Sequence, residues 1–425
     1  MRWLRPIAVA VGLALAVAAC GSGSDSGSNG GTVNLSFAWW GDASRAKATQ
    51  EAVALFQQQH SNIKVSTQYA PFADFFTKLA TQVAGGNAPD LFQIDRGYVN
   101  EYAQRGALYD ISANSSELDL TKWDSSFANS GKIGGKLVAV PFAQNSQTIV
   151  IDQTLAAKYG VPMPSKNWTW DDLKTWAQQI HDKSGGKVFG IADPGSTYPA
   201  FESWLVQHGK HLYDEGGRLG YTAQDVADFW NFTTDLRKSG AATSAELTAT
   251  ITGTPADEPL PKGKAAAEWD YDSLYVPYTA ATDDKLAMYP LPQVSGNTGM
   301  LPKPAQMLSV YSKSKHPKEA IQLMNFLLND PAAAKALGAS RGLQPNLDIR
   351  SSMAASATDP AIKSVYAYEA ENKGKLNPPA VTPPKGDSQV LTLMQRAYQD
   401  VAFERKSVQD AANSFFTQTR QFVGQ

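Results

Sequence analysis

Three observations predict an α/β protein built as two lobes. The chain has 425 residues, and single hydrophobic cores stop growing at about 250–300 residues. Residues 35–94 alternate strand and helix signals, the signature of a parallel sheet with helical crossovers. Residues 135–152 (GKLVAVPFAQNSQTIVID) hold apolar runs at 137–140 and 149–151, separated by Pro141 and a polar segment. Proline lacks the N–H that a central ladder needs, so two strands joined by an exposed polar crossover are expected there, not one strand.

Taken in order, residues 1–20 begin with Arg2 and Arg5, continue through an apolar core from Ile7 to Ala19, and end at Cys20. That run is too short to span a bilayer and predicts an export signal. Val17-Ala18-Ala19-Cys20 resembles the bacterial lipobox, in which the cysteine is acylated and becomes the new N-terminus. Cys20 is the sole cysteine, which excludes an intramolecular disulfide. Residues 21–32 are rich in Gly and Ser and are expected to form a flexible tether.

Leu35, Phe37 and Trp39 alternate as in a strand, residues 46–59 have helical spacing, and Ile63 to Thr67 alternate again. A helix around Phe75, Phe76, Leu79 and Val83 follows, then the breaker at 85–89 and an apolar strand at 91–94. Ligands of such sheets sit beyond the carboxyl ends of the strands. That rule puts Trp39, Trp40 and Asp42 at one rim with Asp95 and Arg96. Beyond residue 152, capping-box pairs Thr169/Asp172 and Thr222/Asp225 open two helices. Between them lie an expected strand at 188–192 and a helix at 198–211. The spacing of Leu173, Trp176, Ala177 and Ile180 assigns Trp176 to the core. Strands are expected at 265–269, 286–289 and 307–311, with a Pro/Gly-rich crossing at 290–304. Helices are expected from 317 to 328, after Asp330, and at 388–402 and 407–422.

Net charge is −2, the isoelectric point is about 6.2, and no basic helix face is predicted, so nucleic acid is not an expected partner. No metalloprotease, hydrolase-elbow, phosphate-loop or dinucleotide motif occurs. The five histidines are scattered; His208 and His211 read as a surface pair, and neither metal nor cofactor is expected.

The stretches FAWWGDASR (37–45), AGGNAPDLFQID (84–95), VPFAQNS (140–146) and RGLQPN (341–346) resemble extracellular solute-binding proteins family 1, the maltose-binding-protein group. The resemblance implies a two-lobed periplasmic-binding-protein-like fold of type II, with each lobe a mainly parallel sheet flanked by helices and three crossings between lobes. It assigns residues 33–142 plus 304–341 to the N-terminal lobe and 146–296 plus 346–425 to the C-terminal lobe. It also implies a monomeric receptor, lipid-anchored outside the bacterial cell membrane, that delivers a carbohydrate to the permease of an ABC importer without chemical turnover.

A sugar ring has an apolar C–H face and a belt of hydroxyls, so it is matched by aromatic platforms and planar hydrogen-bonding side chains. Trp39 continues the Leu35/Phe37 face, which makes Trp40 the cleft-facing member of the pair. Asp42 and Arg45 are site candidates through the resemblance, and Asp95 through its place after a strand. Gln144 and Asn145 are expected to face the cleft from the crossing. Tyr198, Phe201 and Trp204 are candidates on one helix, and Trp269, Asp270 and Tyr271 at the end of a strand. Arg341 is expected to bridge hydroxyls or hold Asp95, with a structural ion pair as the other reading. Two alternative functions stay open on the residues: a receptor of the same fold for a glycerophosphodiester, and a secreted glycoside hydrolase, whose acid pair is defined by distance rather than by sequence. Pro-rich stretches at 254–264 and 377–385 have no counterpart in the resemblance.

Overall fold

The computed structural model describes residues 31–41, 43–251, 255–339 and 341–425. The expected signal segment, Cys20, nearly all of the tether, and Asp42 lie outside the described residues.

The first strands and helices follow from their apolar spacing. Strand β1 (Val33–Trp40) pairs in parallel with β2 (Ile63–Ala70) and with β3 (Leu91–Ile94). Helices α1 (Ala43–Gln59), α2 (Phe72–Ala84) and α3 (Arg96–Gln104) connect or follow them. Side chains of β1 alternate between two cores: Phe37 and Trp39 pack with α1, while Ala38 and Trp40 pack with α2 and α3. A strand buried on both faces is what helical crossovers on a parallel sheet produce. After a short hairpin, β4 (Lys132–Ile133) and β5 (Lys136–Leu137), the chain enters β6 (Val140–Asp152).

Here the structure corrects an expectation. Residues 140–152 form one strand, all of it buried, and not two strands with an exposed crossover. Pro141 fits because the register on β9 (Pro302–Val310) shifts between Pro141 and Ala143, and again between Ala143 and Gln144. The missing N–H falls at this irregularity, where no regular ladder bond is lost.

The first half of β6 pairs with β9, and its second half with β7 (Ala267–Tyr271) and β8 (Leu286–Tyr289), all antiparallel. A seven-stranded sheet results, in the order β2-β1-β3-β9-β6-β7 with β8 also on β6. The pairing is therefore mixed: the ladders on β1 are parallel, while every ladder on β6 and β9 is antiparallel. The cause is the shared strand, which β9, β7 and β8 all meet by running back past it. The strand expected at 188–192 appears only as isolated parallel bridges, Phe189 to Ala265 and Ile191 to Ala242. Gly190 lies so close to the helix Trp170–Lys183 that a Cβ would sit 2.2 Å from the Ala177 Cα.

Apolar packing falls into groups on either side of this crossing. Two clusters draw on residues 35–142 and 307–337, and a third on residues 149–300 and 343–415. Both expected capping boxes are formed, at Thr169/Asp172 and Thr222/Asp225. Residue 343 joins the crossing through paired backbone bonds between Gln144 and Leu343, at 2.8 and 2.9 Å.

Candidate functional site

Where β6 leaves β9 and begins to pair with β7, a small gap opens between the two groups of cores. Arg96, Gln147, Glu202, Tyr271, Lys303 and Ala380 line it, together with three apolar neighbours from 301–304. It has room for about one water molecule, so a larger solute enters only if its walls separate.

Each polar side chain reaches the gap for a local reason. Asp95 caps α3 by accepting the Gly97 N–H at 2.9 Å, which starts the helix at Arg96 just past the end of β3. The Arg96 Nε is buried with no hydrogen-bond partner among the described residues. Gln147 sits at the switch in pairing, opposite Tyr271; its amide donates to the Pro199 carbonyl at 2.9 Å and accepts the Ser203 hydroxyl at 2.7 Å. Lys303, between Pro302 and Pro304, places its Nζ 4.5 Å from the centre of the Tyr271 ring, within the range of a cation–π contact. Glu202 projects from the helix Tyr198–Gln207.

The gap is thus a mixed-charge site. Burial pushes the Glu202 carboxyl up, against the pull of Arg96, Lys303 and His211. Burial alone would lower the Lys303 ammonium, but Tyr271, Asp95 and Glu202 outweigh it and hold Lys303 above its usual value. Asp387 is also raised by burial, although the Tyr213 and Tyr198 hydroxyls donate to it at 2.7 and 3.1 Å. Two cations, one carboxylate and a tyrosine ring line the gap, with Asp95 and Asp387 acting on Lys303 and Glu202 from behind it; they supply donors, acceptors and one flat face for a polyhydroxylated solute. Among the described residues no group of three or more His, Cys, Asp or Glu is placed to hold a metal ion. His208 instead contacts the Trp204 carbonyl at 2.7 Å.

Of the expected site residues, Tyr271 lines the gap and Asp95 caps the helix beside it; Asp42 lies outside the described residues, and the rest are placed elsewhere. Trp40 is buried among Phe72, Phe75 and Phe76, at ring separations of 5.4, 5.7 and 5.5 Å. Trp39 is buried on the opposite face. Arg45 is half-buried on α1. Gln144 turns away from the gap: its amide donates to Glu369 at 3.1 Å and accepts from Arg350 at 3.0 Å. Asn145 packs on Gly342, and its Oδ1 has no partner among the described residues.

Tyr198 is buried and reaches the gap only through Asp387. Phe201 is wholly buried against Tyr221 and Phe229, which corrects its expected role as a platform. Trp204 and Trp269 belong to an aromatic stack with Trp170, 5.7 and 5.5 Å from its ring. Asp270 accepts the Tyr278 hydroxyl, and burial pushes its carboxyl up to about 6. Arg341 does not hold Asp95; it donates to Gln93 at 3.2 Å and to Thr49 at 2.7 Å.

Sequence reasoning missed Gln147 and Lys303. Strand alternation puts Gln147 on the same side as Asn145, yet only Gln147 reaches the gap. Lys303 was signalled by being a lone cation between prolines. Arg96 was placed at the rim by the strand-end rule, whereas Glu202 carried no signal beyond its neighbour Phe201.

Comparison with known proteins matches residues 41–334 to the model of the bacterial extracellular solute-binding proteins. A solved structure of an extracellular solute-binding protein family 1 member from Alicyclobacillus acidocaldarius is 31% identical, with TM-score 0.76, covering 93% of this chain and 99% of that one. A periplasmic oligogalacturonide-binding protein from Yersinia enterocolitica, solved with saturated digalacturonic acid, is 26% identical with TM-score 0.79, covering 92% and 98%. An uncharacterized lipoprotein of Streptomyces antibioticus is 26% identical over 315 residues, 70% of this chain and 67% of that one.

Proposed function

We propose that this chain, which belongs to the bacterial extracellular solute-binding protein family, is the capture subunit of an ABC importer and takes a sugar into the gap around Gln147, Tyr271 and Lys303. The observation that carries this reading is the gap itself. Polar groups from both sides of the crossing converge on it, and the buried Arg96 Nε lacks a partner there. A solute touching both walls binds the closed arrangement better than the open one, and that difference alone drives closure. Hinge closure about a ligand is the established motion of this protein class. In this reading, residues 33–142 plus 304–341 form one lobe and 146–296 plus 346–425 the other. The chain acts as a monomer, anchored through Cys20 on the outer face of the cell membrane, and hands its ligand to the permease. The lipoprotein relative and the oligogalacturonide-binding neighbour support the anchor and the sugar.

Calorimetric titration of residues 32–425 against mono-, di- and oligosaccharides tests the reading. Micromolar binding of one intact sugar is expected, about −8 kcal/mol, with a chromogenic glycoside left uncleaved. No binding by folded protein across the panel would overturn it. Arg96 and Lys303 favour a second reading, an anionic solute such as a sugar acid or a glycerophosphodiester. Affinity that falls steeply with added salt would identify it.

A further inference from the structure

The Pro-rich stretch that the sequence left without a role crosses the mouth of the gap. Residues 376–384 have no regular secondary structure and contain two proline pairs, 378–379 and 383–384. Both ends are fixed to the C-terminal group of elements. At the start, the Asn377 N–H donates to the Met300 carbonyl at 2.8 Å, and its amide donates to Asn297 at 3.0 Å. At the end, Asp387 accepts the hydroxyls of Tyr213 and Tyr198.

The middle is held from the other side. Arg96 donates to the Val381 carbonyl, and the Asn100 amide donates to the Pro383 carbonyl at 3.0 Å. The Thr382 hydroxyl donates to the Ser130 carbonyl at 2.7 Å. Ala380, between these anchors, is part of the wall of the gap. Proline suits such a strap, because it fixes φ and carries no backbone N–H. The strap keeps one extended shape without a sheet and offers the facing donors of α3 its carbonyls.

We infer that this strap is a length gate: it closes one end of the sugar site, so that a short sugar fits beneath it and a longer chain does not. The inference rests on the sugar reading above and sharpens it. When the walls close on a short sugar, the bonds of Arg96, Asn100 and Thr382 re-form; a longer chain runs past Ala380 and holds them broken. Arg96 links the two roles, since one guanidinium lines the gap and holds the strap.

The test compares the wild-type 32–425 fragment with the double variant Asn100→Ala/Thr382→Ala, which loosens the strap while leaving Arg96, Gln147, Glu202, Tyr271 and Lys303 in place. Calorimetry against α-1,4-gluco- and galacturono-oligosaccharides of one to four rings should show wild-type affinity falling at least tenfold between two and four rings. In the variant the drop should shrink to threefold or less. A flat profile in the wild type, or an equally steep one in the variant, overturns the gate. Backbone relaxation gives a readout free of sugar: the order parameters of residues 380–382 should fall from the rigid-backbone range to below about 0.6 in the variant, and equal values overturn the strap. Lower order parameters with no sugar bound to either protein would instead overturn the sugar reading and leave the strap as the lid of a site for another solute.

Discussion

Arg341 separates a ligand-binding role from a structural one, and the substitution Arg341→Met tests which it has. The side chain is 5 % exposed, lies over the Phe142 ring at 4.8 Å, and donates to Gln93 and Thr49. Hydrogen bonds from a charged group contribute about 1.5–3 kcal/mol each. Methionine keeps much of the packing on Phe142, and Thr49 retains its bond to the Arg45 carbonyl at 2.7 Å. The loss includes the bond to Gln93, which is wholly buried, and the expected destabilisation is about 3 kcal/mol. Urea unfolding should show it as a lower midpoint at unchanged slope. Sugar affinity, measured on the folded variant, should stay within threefold of wild type. Unchanged stability together with a loss of affinity beyond tenfold would refute the structural assignment.

Other positions give independent checks. Gly342 has φ +114°, and a Cβ there would lie 1.9 Å from the Asn145 Oδ1 and 2.8 Å from the Gln144 carbonyl; Gly342→Ala should lower stability by about 2 kcal/mol or more in denaturant titration. Phe201→Ala should cost about 3–5 kcal/mol of stability, whereas Tyr271→Ala should cost about 1 kcal/mol and weaken sugar binding at least tenfold by calorimetry. Asp152 is 1 % exposed, and burial, opposed by the Leu155 N–H and reinforced by Asp284, pushes its carboxyl up to about 7. The folded chain therefore binds more protons than the unfolded chain between about pH 4 and 7, and stability falls as pH rises through that window. Asp152→Asn keeps an acceptor for the Leu155 N–H and should match wild type near pH 4. By pH 8 it should be about 1–3 kcal/mol more stable than wild type in unfolding curves.

Local pattern carried much of the fold. The alternation of Leu35, Phe37 and Trp39 and the two Thr–Asp capping boxes depend on near neighbours, and they fold as their spacing implies. Pro141 misled because its tolerance depends on a register shift against β9, a strand far along the chain. The site was less legible, since an aromatic side chain looks the same in sequence whether it stacks on a ligand or on another ring. Phe201, Trp204 and Trp269 stack on protein rings. Gln144 and Gln147 illustrate the same limit for amides: three residues apart on one strand, one bonds Arg350 and Glu369 while the other faces the gap. Alternation puts the two on opposite faces, but only the partners supplied by distant segments show which face meets the gap.

The crossing strand also bears on how the chain acquires its structure. Strand β3 finds its second neighbour in β9, and β6 finds its partners in β7, β8 and β9, all encoded more than a hundred residues later. The sheet is not complete until the segment around residue 310 has been made, so a nascent chain ending near residue 300 exposes the unpaired edges of β3 and of the first half of β6. Contacts of such long range slow folding, and open edges invite association with other chains. Maturation of this protein is thus expected to be late and all at once, with incomplete chains prone to aggregate and the first lobe unable to form ahead of the second.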